Sequence, residues 1–135
     1  MRFPFLSPIT HKGEGSLMPY LPLALHYKDR EIKTYGLLDT GATVNVLPYS
    51  TGLDLGFVWD AQTIPLKLGG NLASYEARAL FIDAHIEGYP LVKLAFAWTL
   101  ADNVPLLLGQ TNFFMEFDVL FSRSAQFFEV LPKGA

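Results

Sequence analysis

Apolar positions in this chain fall in short runs separated by glycine, proline and charged turns, rather than in the three-to-four spacing of amphipathic helices. Residues 21–27 form one such run. The turn Lys28-Asp29-Arg30-Glu31 follows, and residues 32–38 make the return. The pattern predicts two strands, with Pro22 marking an edge or a strand start. After Asp39-Thr40-Gly41, a short apolar run over 44–47 is closed by Pro48, and 49–55 reads as a brief helical turn stopped by Gly56. Residues 64–68 and 72–86 are predicted to be the arms of a long hairpin with Gly69-Gly70-Asn71 at its tip. Gly88 and Pro90 mark a turn, 91–99 reads as another strand, and Leu106-Leu107-Leu108 ends at Gly109. A short helix is predicted over 111–117, capped by Thr111, before a last hairpin with arms at 117–121 and 126–131. Residues 1–16, with Pro4, Pro8 and Gly13-Glu14-Gly15-Ser16, read as a loose, flexible N-terminal arm preceding a single domain over 17–135. Short strands with regular Gly/Pro turns and no long helix or internal repeat imply an all-β barrel or sandwich.

Composition narrows the picture. A chain of 135 residues that is 50% hydrophobic and 17% charged can bury one core, which a disordered tail cannot. A net charge of -3 and scattered Lys and Arg leave no footprint for nucleic acid. The absence of cysteine excludes disulfides, thiolate metal sites and a cysteine nucleophile. His11, His26 and His85 are widely separated and give no metal-ligand spacing, so no metal is expected. Asp54, Asp60, Asp83 and Glu87 read as solvated loop or strand-end residues. The proline-broken start is not that of a signal peptide, and no apolar stretch is long enough to span a bilayer, which implies a cytoplasmic protein without membrane contact.

The candidate chemistry lies where the apolar strand Tyr35-Gly36-Leu37-Leu38 runs into Asp39-Thr40-Gly41. A carboxylate at a strand end, followed by a hydroxyl residue and a glycine, can be held rigidly at a cleft floor. The glycine N–H is then free to bond the carboxylate, and the threonine hydroxyl can reach a second copy of the loop. Metal-free peptide hydrolysis needs one group to take a proton from water and another to give one up. Two carboxylates in contact share a proton and supply both roles as a coupled pair. This chain holds a single Asp-Thr-Gly, so the second carboxylate has to come from another copy about a two-fold axis.

A bare Asp-Thr-Gly is a weak signal. Its apolar run-in, the Ala42-Thr43-Val44-Asn45-Val46-Leu47-Pro48 that follows, the glycine-tipped hairpin and the later Leu107-Leu108-Gly109 before a short helix give it context. In that order and over about residues 17–131, the chain resembles the retropepsin-like aspartic proteases, the single-domain family of retroviral proteases and their cellular and bacterial relatives. The resemblance implies an all-β, closed barrel-like acid-protease fold with one short helix, working as a homodimer on a peptide or protein substrate without a cofactor. It implies that Asp39 is catalytic in an active-site loop with Thr40, Gly41 and Ala42. Thr40 would grip the partner subunit, and Gly41 would bind substrate backbone. Gly69, Gly70 and Asn71 would be the flap, while Asn45, Leu108 and Gly109 would support the loop. The chain departs from the retroviral pattern at Gln110 and Thr43, where an Arg–Asp ion pair would stand. Both charges are missing together, so a neutral hydrogen bond can take their place. Ala42 offers no side-chain donor to the dyad, which implies a working pH less acidic than that of gastric-type relatives.

Other readings stay open at this level. Asp-Thr-Gly also occurs as an ordinary turn, and a relative of this fold can be an inactive dimeric peptide-binding or scaffold module. The Leu-Leu-Asp-Thr-Gly string resembles phosphate loops of sugar kinases too. Those folds need a second phosphate loop and far more chain, and no Walker-type lysine loop is present.

Overall fold

The computed structural model describes residues 1–7 and 17–134. Its strands are β1 (Arg2–Pro4), β2 (Tyr20–Tyr27), β3 (Arg30–Leu38), β4 (Asn45–Leu47), β5 (Pro65–Leu66), β6 (Ala77–His85), β7 (Val92–Thr99), β8 (Leu107–Leu108), β9 (Phe117–Ser122) and β10 (Phe127–Pro132). Two short α-helices, α1 (Tyr49–Asp54) and α2 (Phe113–Glu116), interrupt them; α1 is the helical turn read at 49–55, and it stands beside the one short helix that the resemblance implied. Among the described residues no helix is long and apolar enough to cross a membrane.

Six strands close a barrel in the order β2-β3-β8-β4-β7-β6, with β6 returning to β2 through Ala24–His85, Leu25–Ala84 and His26–Asp83. β3–β8 and β4–β7 are parallel, and the remaining pairings of the barrel are antiparallel. The period-two pattern of Leu21, Leu23 and Leu25 on β2 and of Leu80, Ile82 and Ala84 on β6 sends one face inward, where these residues are buried with Leu94, Phe96 and Trp98 of β7. The second half of β7, from Phe96 to Thr99, is buried on both faces because it separates two cores. Ala97 points into a smaller cluster with Val46, Leu68 and Ala77. Pro22 lies inside β2 rather than at its start. β2 pairs with β6 only over Ala24–His26, so one edge of the strand is open at Pro22 and a residue lacking an N–H is tolerated there.

The start of the chain differs from the loose arm expected. Phe3 and Phe5 occupy one face of an extended segment, are buried, and pack on Phe128, with the Phe3 and Phe128 rings stacked at 5.4 Å. β1 thereby joins the last hairpin in a second sheet, ordered β1-β10-β9. Arg2 lies over the Phe127 ring at 4.2 Å, so of the alternating pair Phe127 is half-covered and Phe128 is fully buried. The rest of the expected arm, 8–16, lies outside the described residues.

The long hairpin is also shorter than its sequence pattern. Only Pro65–Arg78 and Leu66–Ala77 pair, and residues 67–76 form a loop containing a 3-10 turn over Gly70–Leu72. Leu68 is buried and Leu72 partly so in the smaller core, and this inward turn takes the backbone out of register with β6.

Candidate functional site

The site is built where β8 passes between β3 and β4. Leu37 aligns with Leu107 and Leu38 with Leu108, and on the other side Val46 faces Leu107. The Leu37 N–H donates to the Leu106 carbonyl at 2.8 Å, and the Asp39 N–H to the Leu108 carbonyl at 2.9 Å. The chain then crosses under the loop at Gly109. A Cβ there would lie 2.6 Å from the Val44 carbonyl oxygen and 2.7 Å from that of Ala42, closer than any side chain can approach backbone. Beyond the crossing, Gln110 N–H donates to the Ala42 carbonyl, Thr111 N–H to that of Thr43, and Asn45 N–H to that of Thr111. Thr111 is thus extended and bound to the loop rather than capping a helix, and α2 starts two residues later than expected.

Asp39 sits half-buried at the end of β3. Its Oδ1 accepts the Gly41 N–H at 2.9 Å and its carbonyl accepts the Ala42 N–H at 3.1 Å, so the loop's own backbone orients the carboxyl group. Thr40, Gly41 and Thr43 are exposed around it. The Gln110 side chain donates through Nε2 to the Thr40 carbonyl at 2.8 Å, a neutral tie between the two segments where the retroviral pattern has an ion pair.

Asp39 and Ala42 form part of a cleft of about 430 Å³ whose facing wall is the 67–76 loop, with Leu68, Gly70 and Asn71. The cleft brings Gly69, Gly70 and Asn71 to the same space as Asp39, from residues thirty and more positions apart in sequence. Among the described residues Asp39 is the one ionisable residue lining it; Val44, Val46, Leu72 and Leu107 make the rest largely apolar. Asn45 and Leu108 stand behind this surface, fully buried. Elsewhere Asp83 pairs across strands with Lys93 at 3.6 Å and His26 contacts Glu31 at 3.2 Å, both on the surface and away from the cleft. His11 lies outside the described residues. No three His, Asp or Glu side chains come together for a metal among the described residues.

Reading the sequence missed two contributions. Val104 and Pro105 line the cleft but precede β8 in an unpatterned stretch. Asn112, read as part of a helix, instead turns its side chain toward Asn45 and β7. A small amide just before an apolar helix is a signal for a cap, and here it is spent on tertiary bonds.

No family model matches the chain, and no curated protein matches its sequence. Solved structures do match its shape. The retropepsin-like aspartic protease from Rickettsia conorii aligns over 96% of this chain and 90% of its own, with 15% identity and a TM-score of 0.63. The EIAV protease complexed with the inhibitor HBY-793 aligns over 76% and 88%, with 19% identity and a TM-score of 0.53. The fold is that of the retropepsin-like aspartic proteases, as the order of motifs implied. At these identities the likeness is one of fold, and the chemistry has to be argued from this chain's own residues.

Proposed function

We propose that this chain is an aspartic endopeptidase that works as a homodimer, with Asp39 of each copy supplying half of a catalytic dyad. The observation that carries this reading is the cleft itself: among the described residues, its one ionisable group is a backbone-oriented carboxyl at the end of an apolar strand. A lone carboxylate can take a proton or give one, but peptide hydrolysis needs both in one turnover. The exposed rim of Thr40, Gly41 and Thr43 leaves room for the same loop of a second copy. An extended peptide then binds as a strand between this floor and the 67–76 loop acting as a flap, and the water between the two Asp39 carboxyl groups is activated by the ionised member. The protonated member donates to the carbonyl oxygen, and the water's proton passes on to the leaving nitrogen.

The test is cleavage of a peptide library followed by mass spectrometry, with the chain and its Asp39→Asn variant. kcat/KM is expected to fall on the order of 10⁴-fold with thermal stability unchanged. Full activity in the variant would remove Asp39 from the chemistry, and a wild-type chain that binds peptides without cutting them would make it a binding module. With no donor at Ala42, the pH–rate optimum is expected above about 3, and a lower one would contradict that part of the reading.

A further inference from the structure

Asn45 is fully buried, in a strand whose other residues, Val46 and Leu47, are apolar. A buried amide is tolerated only when its polar atoms are met, and an aliphatic side chain would fill the same volume with less desolvation. Here the amide is fully used. Its Oδ1 accepts the Gly109 N–H at 2.8 Å, and its Nδ2 donates to the Ala95 carbonyl at 2.9 Å and to Asn112 Oδ1 at 3.1 Å. Asn112 Oδ1 also accepts the Ala95 N–H at 3.0 Å. The partners fix how both amides face: a backbone N–H lies against Asn45 Oδ1, and acceptors lie against its nitrogen.

The Gly109 N–H and the Leu108 carbonyl are the two ends of one peptide unit. Asn45 holds the first, and the second accepts the Asp39 N–H at 2.9 Å. A continuous hydrogen-bonded chain therefore runs from Asn112 through Asn45 and the Leu108–Gly109 peptide to the backbone of Asp39. Each bond in such a chain polarises the next, and a tilt of the central peptide moves both ends. We infer that Asn45 is a positioning residue for Asp39, and that Asn112 sets the amide of Asn45. The kinetic half of this inference rests on Asp39 being the reacting group; the backbone half does not.

Asn45→Ala, Asn112→Ala and Asn112→Asp test it. The last keeps the oxygen that accepts from Ala95 and Asn45, and replaces the long 3.4 Å bond from Asn112 Nδ2 to the Lys93 carbonyl with a carboxylate oxygen at a half-buried position. The readouts are amide hydrogen exchange at Asp39 against amides of the β2–β3 ladder, and kcat and KM per folded chain. In Asn45→Ala, exchange at Asp39 is expected to rise at least about tenfold more than in the β2–β3 ladder. Its kcat is expected to fall on the order of 10- to 100-fold with KM within about twofold. Asn112→Ala should move both readouts the same way by less, and Asn112→Asp should return them to within about threefold of wild type. The inference is overturned if exchange at Asp39 rises only in step with the remote amides, if kcat per folded chain is unchanged, or if Asn112→Asp is as damaging as Asn112→Ala. Should Asn45→Ala fail to fold, the two Asn112 variants decide. A wild-type chain without peptidase activity would sink the catalytic reading, and the exchange result alone would then decide the relay.

Discussion

The two walls of the cleft are built on different principles. Under Asp39, backbone groups from β3, β8 and the 40–45 loop are tied to one another and to the Asn45 amide, and Gly109 lets the segments cross at backbone contact distance. Across the cleft, residues 67–76 hold themselves by local turn bonds, Leu72 N–H to the Gly69 carbonyl, Ala73 N–H to that of Gly70 and Tyr75 N–H to that of Leu72. Beyond one backbone bond at the loop's end, from the Leu100 N–H to the Glu76 carbonyl at 3.1 Å, their tie to the body among the described residues is the packing of Leu68 and Leu72 into the smaller core. Hydrophobic packing is non-directional and tolerates sliding, whereas a polar network admits few arrangements. A carboxyl that must meet a partner in fixed geometry belongs on the second kind of wall, and a segment that must yield to an incoming peptide belongs on the first.

Substitutions can break that contrast. The largest effect is expected from Gly109→Ala, whose Cβ would meet two backbone carbonyls that cannot step aside. It should destabilise the whole chain by about 3 kcal/mol or more, read as a lower urea midpoint with unchanged slope. A neutral result would mean that the crossing has slack. Leu68→Ala removes an anchor that is 8% exposed. It should cost about 2 kcal/mol and raise hydrogen exchange over 64–79 more than in β2 and β3, where a uniform rise would show that the loop is not held separately. The smallest effects sharpen the comparison at the tip. Gly70 has φ +60° and open space around it, while Gly69 has φ -98° and equal room. Gly70→Ala should cost about 1 kcal/mol through backbone strain alone, and Gly69→Ala should stay within about 0.5 kcal/mol in thermal unfolding.

The same contrast governs what could be read from the sequence. Strands β2, β3, β6, β9 and β10 announce themselves by alternation between turn residues, because one face of each meets a core, and β7 by an apolar run whose second half is buried on both faces. The Asp39 loop and Leu107-Leu108-Gly109 were legible because a strand end, a hydroxyl and a glycine leave a fixed signature in order along the chain. The loop after β5 was not, since Leu68 and Leu72 continue an apparent strand pattern while folding into a second core that no local period encodes. β1 was hidden by Pro4 at its end and Pro8 soon after it in the sequence, although Phe3 and Phe5 carry the two-residue spacing of a strand. Asn112 could not have been placed at all, because its partners Asn45 and Ala95 are distant in sequence and meet only when the barrel closes.

Asp39 as half of a dyad is the central claim, and one mixing experiment bears on it most directly. Wild-type chain is refolded together with increasing proportions of the Asp39→Asn variant, and peptidase activity is measured per wild-type chain. If two copies build one site, that activity should fall to about half at an equal mixture and about a tenth at a ninefold excess of variant, following the share of wild-type chains that find a wild-type partner. Activity per wild-type chain that stays constant across the series would mean that each chain works alone, and Asp39 would then not be half of a shared dyad.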